Sequence, residues 1–145
     1  MSGGGSAIDT TISSGGSQYV GGVAIGTTIY SGGWQDVGGS ASGTTIFNGG
    51  AQRVYGIASD TTISGGGWQD VNKGGIASDT TISSGGWQDV GGVASDTTIS
   101  SGGALRVNNH CVATGIKQEI GGIIILIVND RNNLACFSPE SFFDL

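Results

Sequence analysis

The sequence predicts an all-β protein, a parallel β-solenoid (β-helix) of six to seven coils that are 17–19 residues long. The first observation is a repeat: one unit, best represented by residues 77–92, occurs six times. The copies begin at Ala7, Ala24, Ala41, Ala58, Ala77 and Ala94. The second observation is composition, because each copy holds two runs rich in Thr, Ile, Val and Trp, which favour strands, separated by glycine pairs, which favour tight corners. The third is that no apolar stripe recurs at helical spacing.

Each β-prone run is only four to seven residues long, which is too short to bury an apolar face by itself. Stacked on identical neighbours about 4.8 Å away, the same run can hydrogen-bond above and below. Equivalent residues then form columns along the stack, and each coil contacts only its neighbours. The columns of the repeat therefore predict which residues lie inside.

Three mainly β-branched columns are predicted to form the interior. They are Ile12, Ile29, Ile46, Ile63, Ile82 and Ile99; Val20, Val37, Val54, Val71, Val90 and Val107; and Val23, Ser40, Ile57, Ile76, Val93 and Val112. The alanines that open the copies are small enough for a corner. A fourth column lies two residues before the second one, so alternation places it on the same inner face. Its members are Gln18, Gln35, Gln52, Gln69, Gln88 and finally Leu105. Stacked Gln amides can bond along such a column, and an exposed row of Gln is the alternative.

Three regions follow from the limits of the repeat. Residues 1–6 are a Gly/Ser start without the charged and apolar parts of a signal peptide. Residues 7–112 are the solenoid array. Residues 113–145 are an irregular C-terminal segment, either a cap over the open end of the stack or an out-of-frame tail. The apolar run 123–128 is too short to span a membrane. Cys111 and Cys136 lie outside the regular units, and the sequence leaves their pairing open.

The composition argues against several function classes. The 145 residues carry a net charge of −6 and no basic patch, which excludes nucleic acid as an expected partner. Arg53 falls in a column with Asp36 and Asp70, and Arg106 follows Asp89, which indicates mutual neutralisation on an exposed face. The repeated aspartates are typical of stacked turns rather than of paired catalytic acids. We expect no enzyme activity, no cofactor and no metal site.

Two outward columns are candidate contact surfaces. By alternation, the second Thr of each Thr-Thr pair points away from the Ile that follows it. This column contains Thr28, Thr45, Thr62, Thr81 and Thr98. A flat Thr array can order water, so an ice-binding solenoid is one hypothesis. Trp34, Trp68 and Trp87 form the other column, with Ser17, Ala51 and Ala104 in its gaps. They either cover a glycine corner or form a contact surface for another rod or a sugar.

The units resemble the passenger repeats of self-associating autotransporter adhesins, of the type of the adhesin involved in diffuse adherence. Thr-Thr-Ile, Ser-Gly-Gly and Gln-x-Val recur in that order from residue 7 to about residue 115. The family units are usually about 19 residues long, whereas most intervals here are 17. The resemblance implies a right-handed β-helix at the bacterial surface that mediates cell–cell autoaggregation, biofilm formation and adhesion to a host-cell surface or glycan receptor.

The resemblance also implies partners. In several members of the family a heptosyltransferase modifies repeat serines, and the matching positions here are the serines before Gly-Gly. These candidate O-glycosylation sites are Ser14, Ser31, Ser84 and Ser101. Ser64 precedes a glycine triplet and fits less well. A passive glycosylated spacer, or a mere acceptor substrate of the transferase, is the alternative function. Since neither a signal peptide nor a membrane barrel is recognisable, we expect a fragment, an engineered piece or a decayed reading frame of a surface protein, which does not itself insert into a membrane.

Overall fold

The structure, a computed structural model, describes residues 4–108, 111–127 and 137–141. Every regular element in these residues is a β-strand. Within the same ranges no helix has the length and apolarity needed to cross a bilayer. The described residues wind through seven coils, numbered here from the N-terminus.

Each of the first six coils contains three short strands that meet at corners. The first strand is three residues long: β1 (Ser6–Ile8), β4 (Val23–Ile25), β7 (Ser40–Ser42), β10 (Ile57–Ser59), β13 (Ile76–Ser78) and β16 (Val93–Ser95). The second is two residues long: β2 (Thr11–Ile12), β5 (Thr28–Ile29), β8 (Thr45–Ile46), β11 (Thr62–Ile63), β14 (Thr81–Ile82) and β17 (Thr98–Ile99). The third is four residues long: β3 (Ser17–Val20), β6 (Trp34–Val37), β9 (Ala51–Val54), β12 (Trp68–Val71), β15 (Trp87–Val90) and β18 (Ala104–Val107).

All strand pairs are parallel and join equivalent residues of successive coils. Ile29 pairs with Ile46, and Ile63 with Ile82. The third strands form a seven-stranded sheet, and the first and second strands form a 14-stranded sheet that is joined through the last coil. The predicted parallel β-solenoid of about seven coils is therefore confirmed.

The interior contains the two unbroken columns that the sequence predicts. The Ile column is at most 4% exposed and the Val column at most 3%. The first Thr of each Thr-Thr pair is also buried, at no more than 1% exposure in coils 2 to 6. Alternation explains this placement, because the second Thr points outwards between an inward Thr and an inward Ile.

The Gln column points inwards, as the sequence predicts, and forms a continuous hydrogen-bonded ladder. Each amide donates to the Gln of the preceding coil, with Nε2–Oε1 distances of 2.6 to 2.8 Å from Gln35 to Gln88. Each amide also reaches across the coil to the first Thr of its own repeat, as from Gln52 to Thr44 Oγ1 at 3.2 Å. At the last rung Leu105 offers no donor, and the hydroxyl of Thr97 donates to Gln88 Oε1 instead. The ladder is therefore satisfied at both its centre and its C-terminal end.

Two columns lie at positions that differ from those predicted by the sequence. Val23, Ile57, Ile76 and Val112 are 41 to 48% exposed, so this third column lies on the surface and not in the interior. The alanines predicted for a corner are instead buried at 1% exposure or less in coils 2 to 7. The physical reason is that a three-residue strand turns only its middle residue inwards, and that residue is the alanine. Its small side chain packs beside the Val column.

Strand pairing continues beyond residue 112, where the sequence predicts the array to end. β19 (Val112–Gln118) pairs with the first and second strands of coil 6, and β20 (Ile123–Leu126) pairs with β18. In this seventh coil Ile116 and Ile124 replace the inward Thr and Gln, so an apolar pair substitutes for a hydrogen-bonded one. β21 (Phe137–Ser141) adds one more parallel strand beside β19. Whether residues 113–145 are a cap remains a prediction.

Cys111 is buried, and its thiol donates to the backbone oxygen of Asn108 at 2.6 Å. Cys136, which the sequence left as an open pairing partner, lies outside the described residues. So do Phe142 and Phe143 of the tail.

Candidate functional surfaces

One edge of the rod is a line of stacked turns that carries the candidate acceptor serines. In coil 1 the turn runs from Ser13 to Gly16 and is closed by the Gly16 N–H, which donates to the Ser13 oxygen at 2.8 Å. The same bond recurs in each of the seven coils. The second turn position is exposed in every coil and is occupied by Ser14, Ser31, Asn48, Gly65, Ser84, Ser101 and Ile120. Ser64 belongs to the preceding column, level with Ser83. The four predicted serines therefore lie in one exposed line, interrupted in coils 3 and 4.

These four serines do not share one backbone conformation. After Ser14, Ser31 and Ser101 only the following glycine has a positive φ, of 75°, 73° and 80°, as in a type II turn. Ser84 itself has a φ of 47° and its glycine 82°, as in a type I′ turn. Asn48 has the same left-handed form, with a φ of 56°. Ser14, Ser31 and Ser101 are thus equivalent to each other, and Ser84 presents its hydroxyl from a different backbone geometry.

The three tryptophans lie in one outward column on the sheet of third strands. Trp68 pairs in register with Trp87 on one side and with Ala51 on the other. Ala51 in turn pairs with Trp34. Trp34 and Trp68 are half-buried, and Trp87 is 39% exposed. The aromatic column is therefore open at coil 3, where alanine leaves space between two indoles.

This space is a groove of about 320 Å³ lined by Trp34, Ala51, Arg53, Trp68 and the glycine turns of coils 2 and 3. The Arg53 guanidinium lies 4.4 Å from the centre of the Trp34 ring, within cation–π distance. Its Nε lies 2.7 Å from Asp36 Oδ1, which forms an ion pair. The sequence placed Ala51 in the Trp column but missed that this gap, together with Arg53, forms a groove.

The outward column next to the tryptophans contains both Asp and Arg, and not every Asp has an Arg partner. Arg53 neutralises Asp36, and Arg106 lies 3.4 Å from Asp89, as the column predicts. Asp70 is left between Arg53 and Asp89. Burial raises the pKa of the Asp70 carboxyl above its ordinary 3.8, and the Asp89 charge adds to that rise, whereas Arg53 opposes it.

The Asp70→Asn variant is therefore expected to be more stable than the parent at pH 7. A raised native pKa means that the folded chain binds this proton more tightly than the unfolded chain does. The carboxylate consequently lowers stability as pH rises from 3.8 through the raised native value. Since the group is partly solvated, we expect a gain of at most about 1 kcal/mol at pH 7, which disappears below the ordinary pKa.

Urea unfolding of both proteins at several pH values measures this difference. Asp36→Asn serves as the control, because it removes the Arg53 ion pair and should not stabilise the chain. A gain at Asp70 that persisted unchanged at acidic pH would contradict the electrostatic explanation.

The outward Thr column runs along a different face from the tryptophans. Thr28, Thr45 and Thr98 are half-buried and Thr62 and Thr81 are exposed, in register from coil to coil. Near it lies the exposed apolar column of the first strands, which Ser40 interrupts. The structure brings the Thr residues together in one line, separate from both the Trp and the Ser columns.

The corner aspartates occupy left-handed turn positions. Asp9, Asp60, Asp79 and Asp96 have φ values of 53 to 56°, and glycine takes the same position in other coils. Asp tolerates this conformation better than most residues. Within the part of the chain that the structure describes, no group of three or more His, Cys, Asp or Glu side chains could hold a metal ion.

Comparison with solved structures shows that the chain resembles a known protein. The chain matches the crystal structure of a TibC-catalysed hyper-glycosylated fragment of TibA (TibA55-350) with 42% sequence identity and a TM-score of 0.86. The match covers 94% of this chain. The resemblance to autotransporter adhesin passenger repeats is confirmed. The present chain is thus similar to the TibA fragment in both sequence and fold.

The chain spans about half of the TibA fragment, since the match covers 51% of that structure. No protein-family model matches the sequence, and the search of curated proteins finds no match.

Proposed function

We propose that the chain is a segment of the passenger of a bacterial surface autotransporter adhesin, whose rod mediates adhesion and self-association between cells. The similarity to TibA over 94% of the chain supports this origin. The repeated outward columns of Thr, Ser and Trp support an adhesive role, because many weak contacts along two rods add together by multivalency. The Trp column and the Thr column are the proposed contact surfaces.

The serine edge is proposed as the acceptor for a heptosyltransferase. The observation that carries this proposal is that Ser14, Ser31, Ser84 and Ser101 all stand at the exposed tip of one stacked turn line. A TibC-catalysed modification is known for the similar TibA fragment. The acceptors form two pairs of adjacent coils, and neighbouring hydroxyls are about one coil spacing, roughly 4.8 Å, apart. We expect Ser14, Ser31 and Ser101 to be modified alike and Ser84 to react at a different rate because of its left-handed backbone.

Production of the chain with and without the transferase, followed by intact and peptide mass spectrometry, tests this assignment. Replacing all four acceptor serines by alanine should abolish the mass increase. The matched control replaces the serines of the neighbouring column by alanine, and its mass increase should be retained. These serines are Ser13, Ser64, Ser83 and Ser100. If the control variant loses the modification and the first variant keeps it, the acceptor line is wrongly placed.

Beads coated with the modified and unmodified rods then separate adhesion from a passive role. Clustering of beads that increases with coating density supports self-association. Beads that stay dispersed at every density, in both forms, would favour the glycosylated spacer instead.

A further inference from the structure

The groove between Trp34 and Trp68, here called the Trp34–Trp68 slot, spans two coil spacings and has a volume of about 320 Å³. The two tryptophans belong to coils 2 and 4, so their backbones are about 9.6 Å apart, twice the strand spacing. A flat group needs about 3.5 to 4 Å to each surface that it contacts. Ala51 projects only a methyl group into this interval and is itself 7% exposed, so a ring-sized group would lie at the open side of the groove rather than against the methyl group.

The polar part of the slot is the guanidinium of Arg53. One of its N–H groups, on Nη2, donates to Asp36 Oδ2 at 3.3 Å, and Nε lies 2.7 Å from Asp36 Oδ1 as an ion pair without a hydrogen bond. A guanidinium has five N–H donors, so four are not used by Asp36. Its charge is already matched by Asp36, and the chain as a whole carries −6, which disfavours an anionic ligand. The Arg53 guanidinium covers one face of the Trp34 ring, so the slot combines the apolar Trp68 indole with hydrogen-bond donors but no unmatched positive charge.

We propose that the Trp34–Trp68 slot binds one pyranose ring of a neutral carbohydrate. A pyranose has an apolar C–H face that suits an indole and hydroxyl oxygens that suit the Arg53 donors. An aromatic side chain would use the indoles but leave those donors unmatched. Trp87 already borders the other side of Trp68, so the ring would lie on the side of Trp68 that faces Ala51.

The line of turns beside the slot agrees with an open site. The coils that carry Ala51 and Trp68 are the ones in which Asn48 and Gly65 interrupt the acceptor serines. The slot is therefore free of acceptor serines on its coil 3 and coil 4 side, whereas Ser31 lies in the coil 2 turn that borders its other side. The proposal itself does not require the chain to be glycosylated, so it can fail or succeed independently of the acceptor assignment.

Nuclear magnetic resonance of the indole N–H groups tests the slot directly, because the chain has three tryptophans and hence three such signals. The unglycosylated, ¹⁵N-labelled chain is titrated with the methyl glycosides of glucose, galactose, mannose and heptose at millimolar concentration. We expect saturable shifts of the Trp34 and Trp68 signals with at least one of them, and a smaller shift of Trp87. Absence of a saturable shift with all four, or an equal shift of all three signals, would overturn the proposal.

Two variants in the same column provide the matched comparison. Ala51→Trp fills the slot and should abolish the shifts, whereas Ala104→Trp extends the column next to Trp87 and should leave them unchanged. Adjacent tryptophans are accommodated at coils 4 and 5, and circular dichroism checks that both variants fold. Arg53→Met should weaken binding about fivefold for each hydrogen bond lost. Retained shifts in Ala51→Trp would refute the site.

A second arm identifies the source of the sugar. An unlabelled, glycosylated copy of the chain replaces the free glycoside in the titration. Shifts of Trp34 and Trp68 in this arm would assign the ring to a neighbouring rod. Shifts with free glycoside alone would assign it to an external carbohydrate.

Discussion

Replacing Gly92 by alanine should destabilise the rod by about 3 kcal/mol, at the upper end of what overpacking costs. A Cβ at this corner would lie within van der Waals radii of two backbone oxygens of the coil below, those of Asn72 and Gly75. Backbone atoms of a stacked coil cannot move aside as a flexible side chain can, because they are held by the ladder. For a chain of this size the loss corresponds to a decrease of about 10 °C in Tm, which thermal unfolding followed by circular dichroism measures.

Gly91→Ala is the matched control, one residue away in the same corner. There a Cβ would lie 3.3 Å from the nearest atom, the Val71 oxygen. Neither glycine has a positive φ, so the two variants differ only in the space that the methyl group enters. The Gly91 position carries Tyr55 and Asn72 in other coils, and its change should stay within about 0.5 kcal/mol of the parent. Equal Tm values for the two variants would contradict the close approach of the coils.

Hydrogen exchange should localise the effect of Gly92→Ala. Coils of a solenoid contact only their neighbours, so protection should be lost in coils 4 to 6 and retained in coils 1 and 2. A uniform loss along the rod would indicate that the seven coils unfold as one cooperative unit.

The inward residues could be predicted from the sequence where a column shares a strand with another column that clearly points inwards. The Gln column lies two residues from the Val column on one strand, so its inward direction followed from the pleat, and the structure confirms it. The column of Val23 failed because a glycine corner separates it from Val20. The inward–outward alternation of side chains within one strand does not continue across a corner. The prediction that this column lies in the interior therefore depended only on its β-branched residues.

The last coil shows a similar limit. Residues 116–119 depart from the repeat sequence, yet the backbone register continues. Stacking depends on the size of the inward side chains and on strand pairing more than on residue identity. Ile116 and Ile124 replace a Thr and a Gln together, which preserves the filling of the coil. A position-by-position comparison of this coil with the repeat consensus counts two separate mismatches. It does not show that the two replacements compensate each other.

The candidate surfaces were predictable to different degrees. The serine edge follows directly from Ser-Gly-Gly, since the turn chemistry places the serine at the tip. The Trp column follows from register. The slot does not, because it depends on a missing side chain at Ala51 and on an Arg53 conformation fixed by both Asp36 and Trp34. The periodic pattern of the sequence does not show that a small side chain at one position forms a groove.

Gln52→Ala should cost about 4 kcal/mol, the larger of the two losses expected in this chain. Gln52 is fully buried in the middle of the ladder. Its Nε2 donates to Gln35 Oε1 at 2.8 Å and to Thr44 Oγ1 at 3.2 Å, and its Oε1 accepts from Gln69 at 2.7 Å. The alanine leaves a cavity and also leaves the Gln35 oxygen without its donor inside the coil. Each consequence alone is worth one to several kcal/mol, and denaturant unfolding measures their sum.

Two further variants separate the cavity from the lost hydrogen bonds. Gln52→Leu, which copies the natural Leu105 of the last rung, refills most of the volume but restores no donor, so it should recover only part of the loss, to about 2 kcal/mol. Gln18→Ala removes the same groups from coil 1, where the side chain is only half-buried and no coil precedes it among the described residues. It should cost about 1 kcal/mol, since water can replace the lost partner. If Gln52→Ala were no more harmful than Gln18→Ala, the buried amides would be fillers of space, and the stacking of coils would rest on the Ile and Val columns alone.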